Sequence, residues 1–136
     1  MIRTMMGLAA AATVILTAGP ATAATPDPGY AGGGRVKPGA SLTMKYAGDA
    51  GPAKSVELEC DPPGGSHPKA AEACAALAAA GGNPFAIEPA HHACFLVYSP
   101  VTVEVSGTWH GRHIDWQFSY GNSCEMERAL GVIVDF

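Results

Sequence analysis

The clearest strand pattern in the chain is VTVEVSGTWHGRHIDWQFSY, residues 101–120. Apolar residues take alternate positions on both sides of the dipeptide His110-Gly111, and such alternation indicates strands with one buried face. His110-Gly111 suits the tip of a two-residue hairpin. In that register Val101 lies opposite Tyr120. The stretch therefore predicts an antiparallel β-hairpin.

The segment before this hairpin is ACFLVYSP, residues 93–100, with four large apolar residues between a cysteine and a proline. The polar run EPAHH, residues 88–92, precedes it and is typical of a loop. Pro100 fixes its own φ and favours extended geometry at Ser99. Two interpretations stay open from these residues. Phe95 to Tyr98 either form an extended loop that inserts into the cleft of another protein, or they begin a buried strand.

Earlier residues predict a second hairpin. Residues 42–46 and 56–60 both alternate between apolar and polar, and GDAGP at 48–52 supplies strong turn chemistry between them. At the other end of the chain, residues 132–136 are mostly apolar and predict a final strand.

A helix is predicted between these hairpins. The run from 67 to 80 is rich in alanine, which favours helix, with Ser66 as its cap and Gly81-Gly82 as its end. Asn83-Pro84 begins one more helical turn. The elements together predict an α+β fold of about five strands, mostly antiparallel, with one or two helices.

The N-terminal region is predicted to lie outside this fold. Arg3, an apolar run and the ending Ala21-Thr22-Ala23 are typical of a secretory signal peptide at residues 1–23. A retained membrane anchor is the alternative, although the apolar run is short for a span. Residues 24–39 are rich in Gly and Pro and predict a flexible arm. We therefore expect one secreted, extracellular domain at residues 40–136.

The charge of the chain limits the classes of partner that it can bind. The formal net charge is −4, and without a basic patch it argues against nucleic acid or an anionic membrane as partner.

Four cysteines in an exported chain indicate disulfides, and their spacing does not suit structural zinc. In the hairpin register Cys94 and Cys124 lie nearly opposite each other beyond its open end. This register predicts a Cys94–Cys124 disulfide and leaves Cys60 and Cys74 to form the second one.

Histidines are the main hint of enzymatic or metal chemistry. His91-His92 or the pair His110 and His113 could chelate a metal, but positions 110 and 113 of a strand point to opposite faces. The sequence contains neither a nucleophile elbow nor an HExxH motif. Solvated surface histidines fit better. We therefore predict no enzyme, no metal site and no cofactor.

A series of short motifs stands in order along residues 40–136. They are VELEC at 56–60, GSHP at 65–68, a helix holding Cys74, Gly81-Gly82, Cys94, VY at 97–98, Pro100, VSGTWHG at 105–111, NSCEM at 122–126 and VDF at 134–136. Together they resemble the Streptomyces subtilisin inhibitor family of secreted serine protease inhibitors. The resemblance implies a five-stranded antiparallel sheet with two helices packed on it, the same two disulfides, and a homodimer joined through the sheets.

The resemblance also implies a substrate-like reactive loop directed at subtilisin-like and chymotrypsin-like proteases. Its scissile bond would be Leu96–Val97, with Leu96 in the primary specificity pocket. Around that bond, the protease-contacting residues would be Ala93, Cys94, Phe95 and Tyr98, and Asn122 would support the loop from beneath.

One residue departs from the family's pattern, and two alternative interpretations stay open. Phe95 stands where the family often has proline, and this bulky ring must fit the protease's second subsite. Asn122 has an alternative interpretation as an ordinary turn residue after a strand. The same fold also suits a non-inhibitory secreted module, such as a transglutaminase substrate or a cell-surface interaction domain.

Overall fold

A computed structural model describes residues 37–49 and 51–136 of the chain. The predicted signal peptide and residues 24–36 of the predicted arm lie outside these residues. Nowhere in the described ranges is there a helix of the length and apolar character that a membrane crossing needs. The elements are β1 (Ala40–Gly48), β2 (Lys54–Cys60), β3 (Gly64–Gly65), α1 (Ala70–Ala79), β4 (Val101–Trp109), β5 (Arg112–Tyr120) and α2 (Ser123–Leu130), with 3-10 turns at Pro84–Ala86 and Gly131–Val134.

The predicted hairpin of residues 101–120 is confirmed in its register. Val101 pairs with Tyr120, and Trp109 pairs with Arg112. The tip residues His110 and Gly111 both have positive φ, 45° and 81°, as a type I′ turn requires. This turn matches the twist of the two strands and fixes which residues of β4 and β5 share a face.

The sheet is antiparallel, in the order β3-β2-β1-β4-β5. The second predicted hairpin is confirmed, because β1 pairs with β2 from Ala40–Cys60 to Tyr46–Lys54. On its other side β1 pairs with β4. A close approach occurs there at Gly107, whose φ is 139°, because a Cβ at this position would lie 2.2 Å from the Ser41 carbonyl oxygen.

The inner face of the sheet forms the core with the helices. Alternate residues of three strands, including Leu42, Leu58 and Val103, are almost completely buried. Leu77 of α1 and Met126 of α2 belong to the same cluster. The outer face is polar apart from Ala47, because its positions are Ser41, Thr43, Lys45, Ala47, Ser55, Glu57, Glu59, Thr102, Glu104, Ser106, Thr108, His113, Asp115, Gln117 and Ser119.

Both predicted disulfides are confirmed. Cys60–Cys74 ties β2 to α1, and Cys94–Cys124 ties the segment before β4 to α2. The chain therefore has a covalent link from each helix to a distant part of the fold. In the chain-entropy model each link stabilises the fold by about 3–4 kcal/mol.

Two details of the prediction are wrong. Residues 132–136 form no strand, because Gly131, with φ 55°, ends α2 and turns the chain into the 3-10 segment that buries Ile133 and Val134. The fifth strand is instead the short β3. Helix α1 begins at Ala70, and the Ser66 hydroxyl accepts a hydrogen bond from the Glu57 N–H (2.9 Å) instead of capping it.

The close approach at Gly107 gives a first testable prediction. Gly107→Ala should lower the free energy of unfolding by about 2 kcal/mol or more, because the new Cβ adds both a positive-φ cost and a clash with β1. The matched control is Gly51→Ala, at an exposed turn glycine where an added Cβ would have no neighbour within 4 Å. Urea denaturation of both variants measures the difference. If both variants lost the same free energy of unfolding, the close approach of β4 to β1 at Gly107 would not constrain this position.

Candidate functional site

The segment between the 3-10 turn and β4 exposes its apolar side chains. Phe95, Leu96, Val97 and Tyr98 have relative exposures of 88%, 102%, 62% and 85%. The segment has no regular secondary structure, and strand β4 begins only at Val101. The alternative of a buried strand starting at Phe95 is therefore wrong. Four adjacent apolar side chains in water make an unusual surface, and such surfaces often mark a binding site.

The backbone on both sides of Leu96 is held by the amide of Asn122. Its Nδ2 donates to the Val97 carbonyl (2.8 Å) and to the Phe95 carbonyl (3.3 Å). The Val97 N–H also donates to the Phe95 carbonyl (2.9 Å), which makes a tight three-residue turn centred on Leu96. Leu96 therefore lies at the apex of the segment, with its side chain directed into solvent.

The other half of the same amide begins helix α2. Asn122 Oδ1 accepts a hydrogen bond from the Glu125 N–H (2.9 Å), so Asn122 is the N-cap of α2. An asparagine can donate and accept at once. Asn122 can therefore support the segment and also act as an ordinary turn residue after the strand. The cap fixes the amide, and the fixed amide holds the segment.

Three further attachments fix the ends of the segment. The Ala90 N–H donates to the Arg128 carbonyl (2.8 Å), and the Ser99 N–H donates to the Gly121 carbonyl (2.8 Å). Cys94 is bonded to Cys124. All these partners, and Asn122, lie within residues 121–128. One short stretch, the end of β5 and the helix that follows, therefore positions the whole exposed segment.

The segment itself carries no charge between positions 93 and 100. The helix beneath it carries an ion pair of Glu125 and Arg128, in which Nε of Arg128 donates to Oε2 of Glu125 (3.1 Å). At the end of β5, burial raises the pKa of the Tyr120 hydroxyl, so this ring stays neutral at ordinary pH. The apex therefore presents apolar side chains without a charge.

Metal-ligating side chains come together at one place among the described residues. Ligand atoms of His92, Cys94 and Cys124 lie within 4.8 Å of one another. The two sulfurs are joined in a disulfide, so neither is a thiolate that could bind a metal. Of the other histidines, His110 Nε2 lies 3.1 Å from Asp61 Oδ2, and His113 lies on the outer face of β5.

The two helices that the resemblance implied are confirmed, but the residue pattern alone did not place helix α2 or the anchors that it supplies. A signal was present, because Asn122 is followed three residues later by Glu125 and then by apolar residues, which is typical of a helix N-terminus. The carbonyls of Gly121 and Arg128 have no such signal. Any residue type has a carbonyl, so a sequence does not reveal which ones accept a bond from a distant segment.

Comparison with known proteins gives consistent results. A family model described as subtilisin inhibitor-like matches residues 40–122. Subtilisin inhibitor-like protein 1 of Streptomyces cacaoi is 42% identical over 100 residues, which is 71% of this chain and 91% of that protein. The subtilisin inhibitor of Streptomyces violaceus is 40% identical over 133 residues, covering 90% of this chain and 88% of that protein.

The fold also matches a solved structure. The match is a chain in the crystal structure of Streptomyces caespitosus sermetstatin in complex with Bacillus licheniformis subtilisin. The TM-score is 0.60 at 25% sequence identity, and the alignment covers 71% of this chain and 98% of the matched chain.

The double role of Asn122 gives a second testable prediction. Asn122→Asp keeps the cap oxygen but loses the donor, so it should mobilise residues 95–98 while changing the free energy of unfolding by no more than about 0.5 kcal/mol. Asn122→Ala loses both the cap oxygen and the donor, and it should lower the free energy of unfolding by about 1–2 kcal/mol. Urea denaturation and ¹⁵N relaxation of the segment measure the two effects.

A matched control for these variants is Asn83→Ala. Asn83 also caps a helical turn, by accepting from the Phe85 N–H (3.1 Å), but within the described residues no hydrogen bond joins its side chain to the segment. It should leave the relaxation of residues 95–98 unchanged. If Asn122→Asp left the segment as rigid as in the parent protein, the amide would not be its anchor.

Proposed function

This chain belongs to the subtilisin inhibitor-like family, and we propose that it is a secreted inhibitor of subtilisin-like and chymotrypsin-like serine proteases. The observation that carries the proposal is the exposed apolar segment around Leu96, held in place by the amide of Asn122. The segment acts as a substrate-like reactive loop with the scissile bond Leu96–Val97. The protein itself catalyses no reaction.

Preorganisation is the physical basis of the proposed inhibition. A flexible substrate loses conformational freedom when it enters a protease cleft, whereas a loop that is already fixed loses much less. The loop's own scaffold bonds, at Ala90, at the Phe95 and Val97 carbonyls and at Ser99, supply that order before binding. The backbone on either side of the turn at Leu96 can then pair with strand edges of the cleft while the side chains enter pockets.

The positions of the loop's attachments to the scaffold explain why the protease would hydrolyse this protein slowly. On the acyl side of the scissile bond, the loop is held by Cys94–Cys124 and by the bond from Asn122 to Phe95. On the amine side, it is held by Asn122 to Val97 and by Ser99 to Gly121. After acylation the new amine therefore stays next to the acyl group. Its attack re-forms the peptide bond faster than water completes hydrolysis.

The loop sequence sets the class of target. Leu96 suits an apolar primary pocket and not one with a buried acid, which binds Lys or Arg. Phe95 is exposed and reaches the second subsite, so the target needs room beside its catalytic histidine. Tyr98 adds an apolar contact on the amine side, and Ala93 leaves a deep fourth subsite partly empty.

The alternative of a transglutaminase substrate receives little support from the fold. The sequence contains one glutamine, Gln117. It lies in the middle of β5, paired with Glu104 of β4, and regular strand pairing makes it a poor acyl donor for an enzyme that needs a flexible segment. A module without inhibitory activity remains the outcome to test.

The proposal is tested by titrating subtilisin with the purified protein and analysing the mixture by mass spectrometry after an acid quench. We expect stoichiometric loss of protease activity and a trace of protein cleaved only at Leu96–Val97. Rapid cleavage by both subtilisin and chymotrypsin, with neither protease inhibited, would contradict an inhibitory function.

A third prediction concerns specificity. Leu96→Lys should create tight trypsin inhibition, at least about 100-fold stronger than that of the parent protein, because a lysine at the apex pairs with an acid in the primary pocket. The matched control is Tyr98→Lys, which adds the same charge to another exposed loop position. Inhibition constants for trypsin measure the effect. If the two variants inhibited trypsin equally, Leu96 would not be the specificity residue.

A further inference from the structure

A group of three metal-ligating side chains lies at the start of the reactive loop. Ligand atoms of His92, Cys94 and Cys124 are all within 4.8 Å of one another. The two sulfurs are joined in a disulfide, so in the oxidised protein only the imidazole is free to bind a metal. His92 precedes Cys94 by two positions in a segment without helix or strand, where side chains two apart can lie on the same side of the backbone.

The disulfide in this group is more accessible to solvent than the other one. Cys94 and Cys124 are both partly exposed, whereas Cys60 and Cys74 lie in the core with exposures of 1% and 8%. Thiol–disulfide exchange requires a thiolate to reach one of the sulfur atoms. A dithiol reductant should therefore open Cys94–Cys124 and leave Cys60–Cys74 joined.

The reduction takes place in two exchange steps. A thiolate of the dithiol attacks the Cys94 sulfur and expels Cys124 as a thiolate, and the second thiol of the reductant then displaces Cys94. The reductant becomes a cyclic disulfide, and the protein gains two electrons and two protons as two thiols. Cys124 suits the role of leaving group, because it lies in the first turn of α2, where the helix dipole favours negative charge.

We propose that the two cysteines released by this reduction bind one Zn²⁺ together with His92. Two thiolates and one imidazole form a ligand set that zinc prefers, and a water molecule takes the fourth position. Binding of the metal releases the two thiol protons. Sulfur and nitrogen ligands of one tetrahedral zinc lie about 3.5–3.8 Å apart, so ligand atoms that now lie within 4.8 Å of one another need only a small movement.

The bound metal would replace the disulfide as an attachment of the loop. Cys94–Cys124 ties the acyl side of the loop to α2, and its reduction leaves that side held by hydrogen bonds, among them the bond from Asn122 to the Phe95 carbonyl (3.3 Å). A zinc ion bound to both sulfurs joins the loop to α2 again, with His92 as a further attachment. The loop is then fixed in the oxidised protein and in the reduced protein with zinc, and it is looser in the reduced protein without zinc.

The neighbouring histidine offers a comparison within the same loop. His91 is exposed like His92, but it does not belong to the group of three ligands. Adjacent residues of an extended chain point to opposite sides of the backbone. Nonspecific binding of a metal to surface imidazoles would use both histidines, whereas the proposed site uses His92 alone.

The test uses the full-length protein without the predicted signal peptide, treated with a dithiol reductant that is then removed under argon. Alkylation and mass spectrometry identify which cysteines have opened. Co²⁺ is the probe, because its absorption spectrum reports four-coordinate geometry and thiolate ligands. We expect one Co²⁺ per chain, with the spectrum of a four-coordinate thiolate complex, and we expect Zn²⁺ to displace it.

Two matched histidine variants separate the proposed site from nonspecific binding. His92→Ala should raise the dissociation constant for Co²⁺ at least about tenfold, because it removes one of the three protein ligands. The matched control His91→Ala removes the adjacent exposed imidazole and should leave the constant unchanged. In the unreduced protein, where both sulfurs stay in the disulfide, the thiolate spectrum should be absent.

A second readout concerns the loop, and it rests on the proposed inhibitory function. Subtilisin should cleave the reduced, metal-free protein at Leu96–Val97 at least about tenfold faster than the oxidised protein, and one equivalent of Zn²⁺ should reverse most of this increase. Cleavage of a peptide substrate at the same Zn²⁺ concentration controls for any effect on the protease. Because the Co²⁺ spectrum is read without protease, a failed inhibitor and a failed metal site give different results.

Three outcomes would overturn the metal site. The first is opening of Cys60–Cys74 before Cys94–Cys124 or together with it. The second is a reduced protein that shows no four-coordinate thiolate spectrum with Co²⁺, whether circular dichroism finds it folded or unfolded. The third is equal weakening of Co²⁺ binding by His92→Ala and His91→Ala.

Discussion

The bifurcated hydrogen bonding of one primary amide is the constraint on which the site depends. Asn122 accepts from the Glu125 N–H and so begins α2, and it donates to two carbonyls that flank Leu96. A hydroxyl or a carboxylate cannot make all three contacts in this geometry. The sheet places this amide, because the register of the β4–β5 hairpin sets where β5 ends, and Cys94–Cys124 keeps the segment within reach.

Order in the loop therefore comes from backbone contacts, and its side chains are left free. Most apolar side chains of a folded chain are ordered by burial in a core, but those of Phe95, Leu96 and Tyr98 are almost fully exposed. Holding carbonyls and N–H groups instead leaves these three side chains available to a partner. The same separation permits sequence change at the apex with little effect on the fold.

Most of the fold could be predicted from the sequence, because the residues that indicate each strand and turn are close together in the chain. Alternation and the His110-Gly111 turn gave the hairpin register, and the register gave the Cys94–Cys124 pairing. The prediction failed at residues 132–136, where a short apolar run has no period that separates a strand from a buried 3-10 turn. Helix α2 was not placed, because its cap directly follows a strand. The anchors at Gly121 and Arg128 are carbonyls, which leave no trace in residue type.

In the proposed mechanism both sides of the Leu96–Val97 bond stay held when the bond is broken. The most direct measurement starts from protein cleaved at this bond, adds a catalytic amount of subtilisin, and follows the intact form by mass spectrometry until the ratio is constant. We expect the protease to re-form the bond in a substantial fraction of molecules, and Asn122→Asp to lower this fraction. Failure of the cleaved protein to return to the intact form, with the protease still active, would contradict it.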